Sequence, residues 1–91
     1  MDYIKIHWKH DVPEDPILFY LEVGTDRYDK RRVVVFINGE LGYASENEEV
    51  KTGLSEVPID SIDEISSDPE CEAIEITKEE FEELWKKALA K

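Results

Sequence analysis

Seven residues near the middle of the chain, Arg31 to Ile37, constrain its fold more than any other stretch. Val33, Val34, Val35, Phe36 and Ile37 are β-branched or aromatic without a break, which suits a pleated, packed strand. A continuous apolar run of this kind is expected of a central strand covered on both faces. Asn38-Gly39 follows at once. Both residues tolerate positive φ, so a two-residue type I′ hairpin is expected. Glu40 to Ala44 then returns as the partner strand, with Leu41 and Tyr43 on one face.

Two further strands precede this hairpin. Ile4, Ile6 and Trp8 alternate with Tyr3, Lys5, His7 and Lys9, the pattern of a half-buried strand. The turn sequence His10 to Pro16 carries Asp11, Pro13, Glu14, Asp15 and Pro16. In Ile17 to Val23, one face takes Ile17, Phe19, Leu21 and Val23, and the other Leu18, Tyr20 and Glu22. Residues 1–45 therefore read as a meander of four antiparallel strands.

Residues 46–76 read as an acidic connection. Asp60 or Ser61 is placed to cap a brief helix carrying Ile62 and Ile65, which Asp68-Pro69 ends. Glu72 to Ile76 has the pattern of a short extended segment. Residues 77–90 carry the clearest helix signal. Thr77 and Glu80 have the spacing of a capping box, and Ile76 and Phe81 that of a hydrophobic staple. Phe81, Leu84, Trp85, Ala88 and Leu89 make one apolar stripe fit to dock on a sheet. Glutamates crowd its first turns, and Lys86, Lys87 and Lys91 its last, as the helix dipole favours. The expectation is one α+β domain over residues 1–91: a four-stranded antiparallel meander, a C-terminal amphipathic helix packed on one face, and a short connecting helix.

Charge bounds the function. The net charge is −12, and ten of those twelve units fall beyond Ser45. Such a surface repels nucleic acid and anionic membranes and favours a basic protein partner. No apolar run approaches the roughly 20 residues of a membrane span, and the start of the chain alternates rather than forming a signal peptide. With Cys71 as its one cysteine, the chain forms no internal disulfide, and a cytoplasmic setting is expected.

Candidate chemistry is sparse. His7 and His10 are three apart on or beside a strand and point to opposite faces, so they do not converge on a metal. Cys71 stands between Glu70 and Glu72, which oppose thiolate formation. Arg27, Lys30, Arg31 and Arg32 around Tyr28 form the single basic patch. Pairing with the acidic loop or neighbouring strands is its expected role, with Arg32 sharing a sheet face with Glu22. The glycines form no phosphate loop, and no pair of carboxylates sits in a recognisable catalytic setting. No enzyme activity and no cofactor are expected. What remains is surface: the acids Glu46, Glu48, Glu49, Asp60, Asp63, Glu64, Asp68 and Glu70, and the sheet face left free by the helix, carrying Tyr3, Lys5, His7, Tyr20, Glu22 and Arg32.

The segments Trp8 to Asp11, Asp26 to Val33, Phe36 to Ser45 and Ile76 to Ala88 resemble a family of small, uncharacterised bacterial proteins of about this length. That resemblance implies no function. In size, acidity and α+β build the chain is also similar to bacterial immunity proteins that neutralise toxins. The expected role is a small acidic binding module that occludes a basic partner, an immunity-like inhibitor of a toxin being its most concrete form. The alternatives are a nucleic-acid mimic that blocks a DNA- or RNA-binding protein, and a homo-oligomeric structural or regulatory module.

Overall fold

The Val33–Phe36 run lies in the strand that organises the sheet. In the computed structural model, which describes residues 1–10, 12 and 14–90, the strands are β1 (Asp2–Trp8), β2 (Pro16–Val23), β3 (Asp29–Phe36), β4 (Leu41–Ser45), β5 (Glu49–Val50) and β6 (Cys71–Glu75). The helices are α1 (Ile62–Ser66) and α2 (Lys78–Leu89). Every strand pairing is antiparallel, and the order across the sheet is β5-β4-β3-β2-β1-β6. Val33 and Val34 point to opposite faces and are both fully buried, as a central strand requires.

The sheet thus has six strands among the described residues, not four. Cys71–Glu75 pairs with β1, and the two-residue β5 adds to β4. β1 is therefore an interior strand, and its polar backbone groups are paired on both sides. Part of what reads as an acidic connection over 46–76 is sheet. The hairpin turn also differs from a type I′ turn. Only Gly39 takes positive φ, at 88°. Phe36 N donates to Glu40 O, and Gly39 N donates to Phe36 O. These bonds close a three-residue loop over Ile37, Asn38 and Gly39, the next most common hairpin connection. Asn38 stays out of the left-handed region, and its Oδ1 accepts the Glu40 N–H at 3.0 Å.

Both helices start where their caps place them. Ser61 Oγ accepts from Glu64 N in α1, and Thr77 Oγ1 accepts from Glu80 N in α2. α2 crosses β2, β3 and β4 on one face, where Val33, Ile76, Phe81 and Ala88 form a buried cluster. On the other face Ile4, Leu21, Val23 and Ala73 are covered by Ile59, Ile62 and Ile65. The chain from Leu54 onward is therefore a strap over the back of the sheet that leads into α1, which packs on β6. Asp11 and Pro13 of the expected turn, and Lys91 at the end of the helix, lie outside the described residues.

Candidate functional site

Antiparallel partners share a sheet face, so the register fixes which side chains meet. Tyr3 is opposite Glu22, Lys5 opposite Tyr20 and His7 opposite Leu18. Tyr20 is opposite Val33, and Val33 opposite Tyr43. These residues stand on the face that α2 covers. The face expected to be free is thus partly the docking face of the helix: Tyr3 and Tyr20 pack against its buried cluster, and the Tyr3 and Phe81 rings lie 5.6 Å apart. Lys5 and His7 remain outside its cover, in a shallow corner completed by Leu18, Glu72 and Ile74.

Arg32 is corrected as well. Glu22 pairs with Arg31, and Arg32 pairs with Leu21 on the opposite face. Arg31 is the hub of the helix face. Its guanidinium donates to both Glu22 oxygens, at 2.8 and 2.6 Å, and to Glu82 of α2 at 3.2 and 2.8 Å. It lies 5.0 Å from the Phe81 ring centre and 5.1 Å from that of Trp85. Tyr3 Oη adds a hydrogen bond to Glu22 at 2.9 Å. The Arg31 guanidinium holds the carboxyls of Glu22 and Glu82 below their usual range. Desolvation, and then the neighbouring Glu22 carboxylate, push the Tyr3 hydroxyl up.

The basic patch is consumed internally. Arg27 pairs with Asp2, Lys30 with Asp26, Arg31 with Glu22 and Glu82, and Arg32 with Asp29. Its ion-pair partners lie on strands, α2 and a turn, and Arg27 also donates to backbone carbonyls of the 46–76 connection. The remaining ion pairs among the described residues are Lys9 with Glu72 and Lys51 with Glu40. Glu46, Glu48, Glu49, Asp60, Asp63, Glu64, Asp68 and Glu70 are all exposed, and none enters an ion pair among the described residues. They are not gathered on one surface. Glu46, Glu48 and Glu49 lie at the β5 edge, Asp60, Asp63 and Glu64 flank or occupy α1, and Asp68 and Glu70 lead into β6 at the other edge. At strand spacing the two edges are roughly 24 Å apart.

The histidines stay separate. His7 is exposed on the helix face. The His10 ring lies 4.3 Å from that of Trp8, on the back of the sheet. Its Nδ1 accepts from Val12 N, so Nε2 carries the proton and donates to Pro16 O at 2.9 Å. Among the described residues no three His, Cys, Asp or Glu side chains converge as a metal site. Cys71 is half-buried, and desolvation, then Asp68 and Glu70, push its thiol up.

A groove on the back of the sheet escaped the sequence reading. Ile6, Trp8 and Phe19 of the sheet and Ile65 of α1 line it together with Val57 and Pro58 of the strap, around an open volume of about 340 Å³. The strap is pinned at two places. Ser55 N donates to Asp29 Oδ1 at 3.0 Å. Ile59 N donates to Arg27 O at 2.6 Å, while Arg27 Nε and Nη2 donate to Ile59 O and Asp60 O. Arg27 performs this at φ 68°, a conformation rare for a residue with a side chain. Trp8 and Phe19 were legible only as strand-face apolar residues. Val57-Pro58, an apolar pair in a polar stretch, was the one local signal.

A six-stranded antiparallel sheet sandwiched between a C-terminal helix and a pinned strap defines an α+β domain with a grooved back. The chain belongs to the family described as domain of unknown function (DUF6881), whose match covers residues 2–90. No curated protein and no solved structure matches it. No helix among the described residues is long and apolar enough to cross a membrane.

Proposed function

We propose that this chain is a binding module, not a catalyst, that occludes a basic protein partner in the bacterial cytoplasm, with an immunity-like inhibitor of a toxin as its most concrete form. One observation carries the reading: the nine acids from Glu46 to Glu70 are exposed and unpaired among the described residues, while the cations of residues 27–32 are all engaged by other acids. Folding uses little of that negative charge, and its self-repulsion opposes the compact state. A field of this sign steers a basic partner and speeds association more than it tightens the complex. A nucleic-acid mimic needs carboxylates in a continuous row, whereas these occupy both edges of the sheet. A homo-oligomer through the helix face has little to work with, because α2 covers Tyr3 and Tyr20.

The test is the association rate of the immobilised chain with basic proteins captured from a bacterial lysate. Between low salt and about 0.5 M salt the rate should fall at least tenfold, because screening shortens the reach of the field. Converting Glu46, Glu48 and Glu49, or Asp60, Asp63 and Glu64, to amides should lower the low-salt rate and flatten that dependence. Capture of acidic partners, or a rate indifferent to ionic strength, overturns the reading.

A further inference from the structure

We propose that the groove between the strap and the half-buried side chains of β1 and β2 receives an apolar anchor of the basic partner. The occupant is a protein segment with a bulky aliphatic or aromatic side chain flanked by lysine or arginine. This rests on the reading of the chain as a module for a basic partner and adds the site and the chemistry recognised there.

The groove is apolar where an anchor would sit. Phe19 and Trp8 are only half-buried, their rings 6.4 Å apart, and Val57 of the strap is 65 % exposed. Contiguous exposed apolar surface of this kind marks interaction sites more often than ordinary surface. Its volume, about 340 Å³, lies at the lower end of the roughly 300–1,000 Å³ of ligand sites, room for one or two large side chains.

The rim is acidic. Asp60 lines the groove, Glu56 precedes Val57, and Glu70 precedes the lining residue Cys71. All three are exposed and outside the ion pairs of the described residues. The one cation in the lining, Arg32, is offset by Asp29 at 2.9 Å and lies 5.9 Å from the Phe19 ring centre. An apolar floor with Asp60 beside it is complementary to an apolar anchor next to a cation, the arrangement of a buried hot spot with a polar border. The bonds from Ser55 to Asp29 and between Ile59 and Arg27 hold the wall in place before a partner arrives, which lowers the ordering cost of association.

Three synthetic peptides of about twelve residues test this by ¹⁵N NMR titration of the full chain. The first carries Leu-Trp between lysines and arginines, the second replaces Leu-Trp by Ser-Ser, and the third keeps Leu-Trp between glutamates. The first should shift the amides of Ile6, Phe19, Val57 and Ile65 and bind at least tenfold more tightly than the other two. Val57→Asp, at a position exposed enough to spare the fold, should weaken the first peptide about tenfold. The pair Glu56→Gln and Asp60→Asn should weaken it severalfold and flatten its salt dependence. If the first two peptides bind equally and shift only the 46–49 and 60–70 segments, the groove proposal fails and the basic-partner reading stands. If the third binds as well as the first, the charge half of the groove proposal is wrong. If neither basic peptide binds at low salt, both proposals fall.

Discussion

Arg31 shows what one side chain does in this fold. It joins β3 to β2 through Glu22, reaches α2 through Glu82, and covers the rings of Phe81 and Trp85. Glu22 is 8 % exposed. Removing Arg31 leaves that carboxylate buried without its countercharge, a change worth on the order of 3 kcal/mol. Arg31→Leu should lower stability by that order in urea unfolding, and an unchanged midpoint would count against the hub. The same pair sets a pH dependence. The folded-state pKa of Glu22 lies below its ordinary value of 4.5, chiefly because of Arg31. Its contribution to stability is therefore complete above pH 4.5 and is lost as the pH falls from there through the folded-state value. Glu22→Gln should remove that part of the acid dependence, read as a flatter stability profile below pH 4.5. Cys71 gives a third residue-level expectation. Burial and the acids Asp68 and Glu70 raise its thiol, so alkylation at pH 8 should be slower than that of a free cysteine peptide. Equal rates would contradict the geometry.

At the scale of elements, β6 is an edge strand whose outer side is closed from within. Ala73 N donates to Ser66 Oγ at 3.0 Å, and that hydroxyl faces Ala73 O at 3.4 Å. Cys71 N donates to Asp68 O. α1 and its following turn thus occupy the groups through which an open edge recruits another strand. Ser66→Ala should cost about 1 kcal/mol, from an N–H left without its acceptor, and speed hydrogen exchange at Ala73. Exchange unchanged at Ala73 would remove Ser66 from this role. The opposite edge relies on brevity, since β5 has two residues. Its approach depends on Gly42, where a Cβ would stand 2.9 Å from Val50 O and 3.0 Å from Val34 Cγ2. Strands β1 to β4 and both helices were legible because alternation, the 3.6-residue stripe and the Ser61 and Thr77 caps are local signals. The places of β5 and β6 in the sheet were not. Glu72 to Ile76 reads as extended, but nothing in its own residues says that β1 is its partner.

At the scale of the whole molecule, the fold carries more negative charge than it neutralises. Screening should therefore stabilise it: raising NaCl from about 10 mM to about 0.3 M shortens the Debye length severalfold and should raise the midpoint of thermal unfolding. A gain of about 1 kcal/mol corresponds to roughly 4–8 °C for a domain of this size. A midpoint that falls with salt would mean that the internal ion pairs outweigh the repulsion among the exposed acids.

The sequence by itself determined the class of fold, the hairpin position, the helix ends and the acidic surplus, because each is written in neighbouring residues or in a sum over the chain. It marked Trp8, Phe19, Tyr3 and Tyr20 as belonging to two sheet faces without saying which face α2 would take. Only the tertiary structure decided that α2 lies over Tyr3, Tyr20 and Glu22, that Arg31 and not Arg32 answers Glu22, and that the strap leaves a groove over Phe19. The deciding terms are non-local. The β2–β3 register, unbroken from the Leu18–Val35 pair as far as Glu22, sets Arg31 opposite Glu22, and bonds from Arg27 and Asp29 to residues some thirty positions away hold the strap where the groove forms.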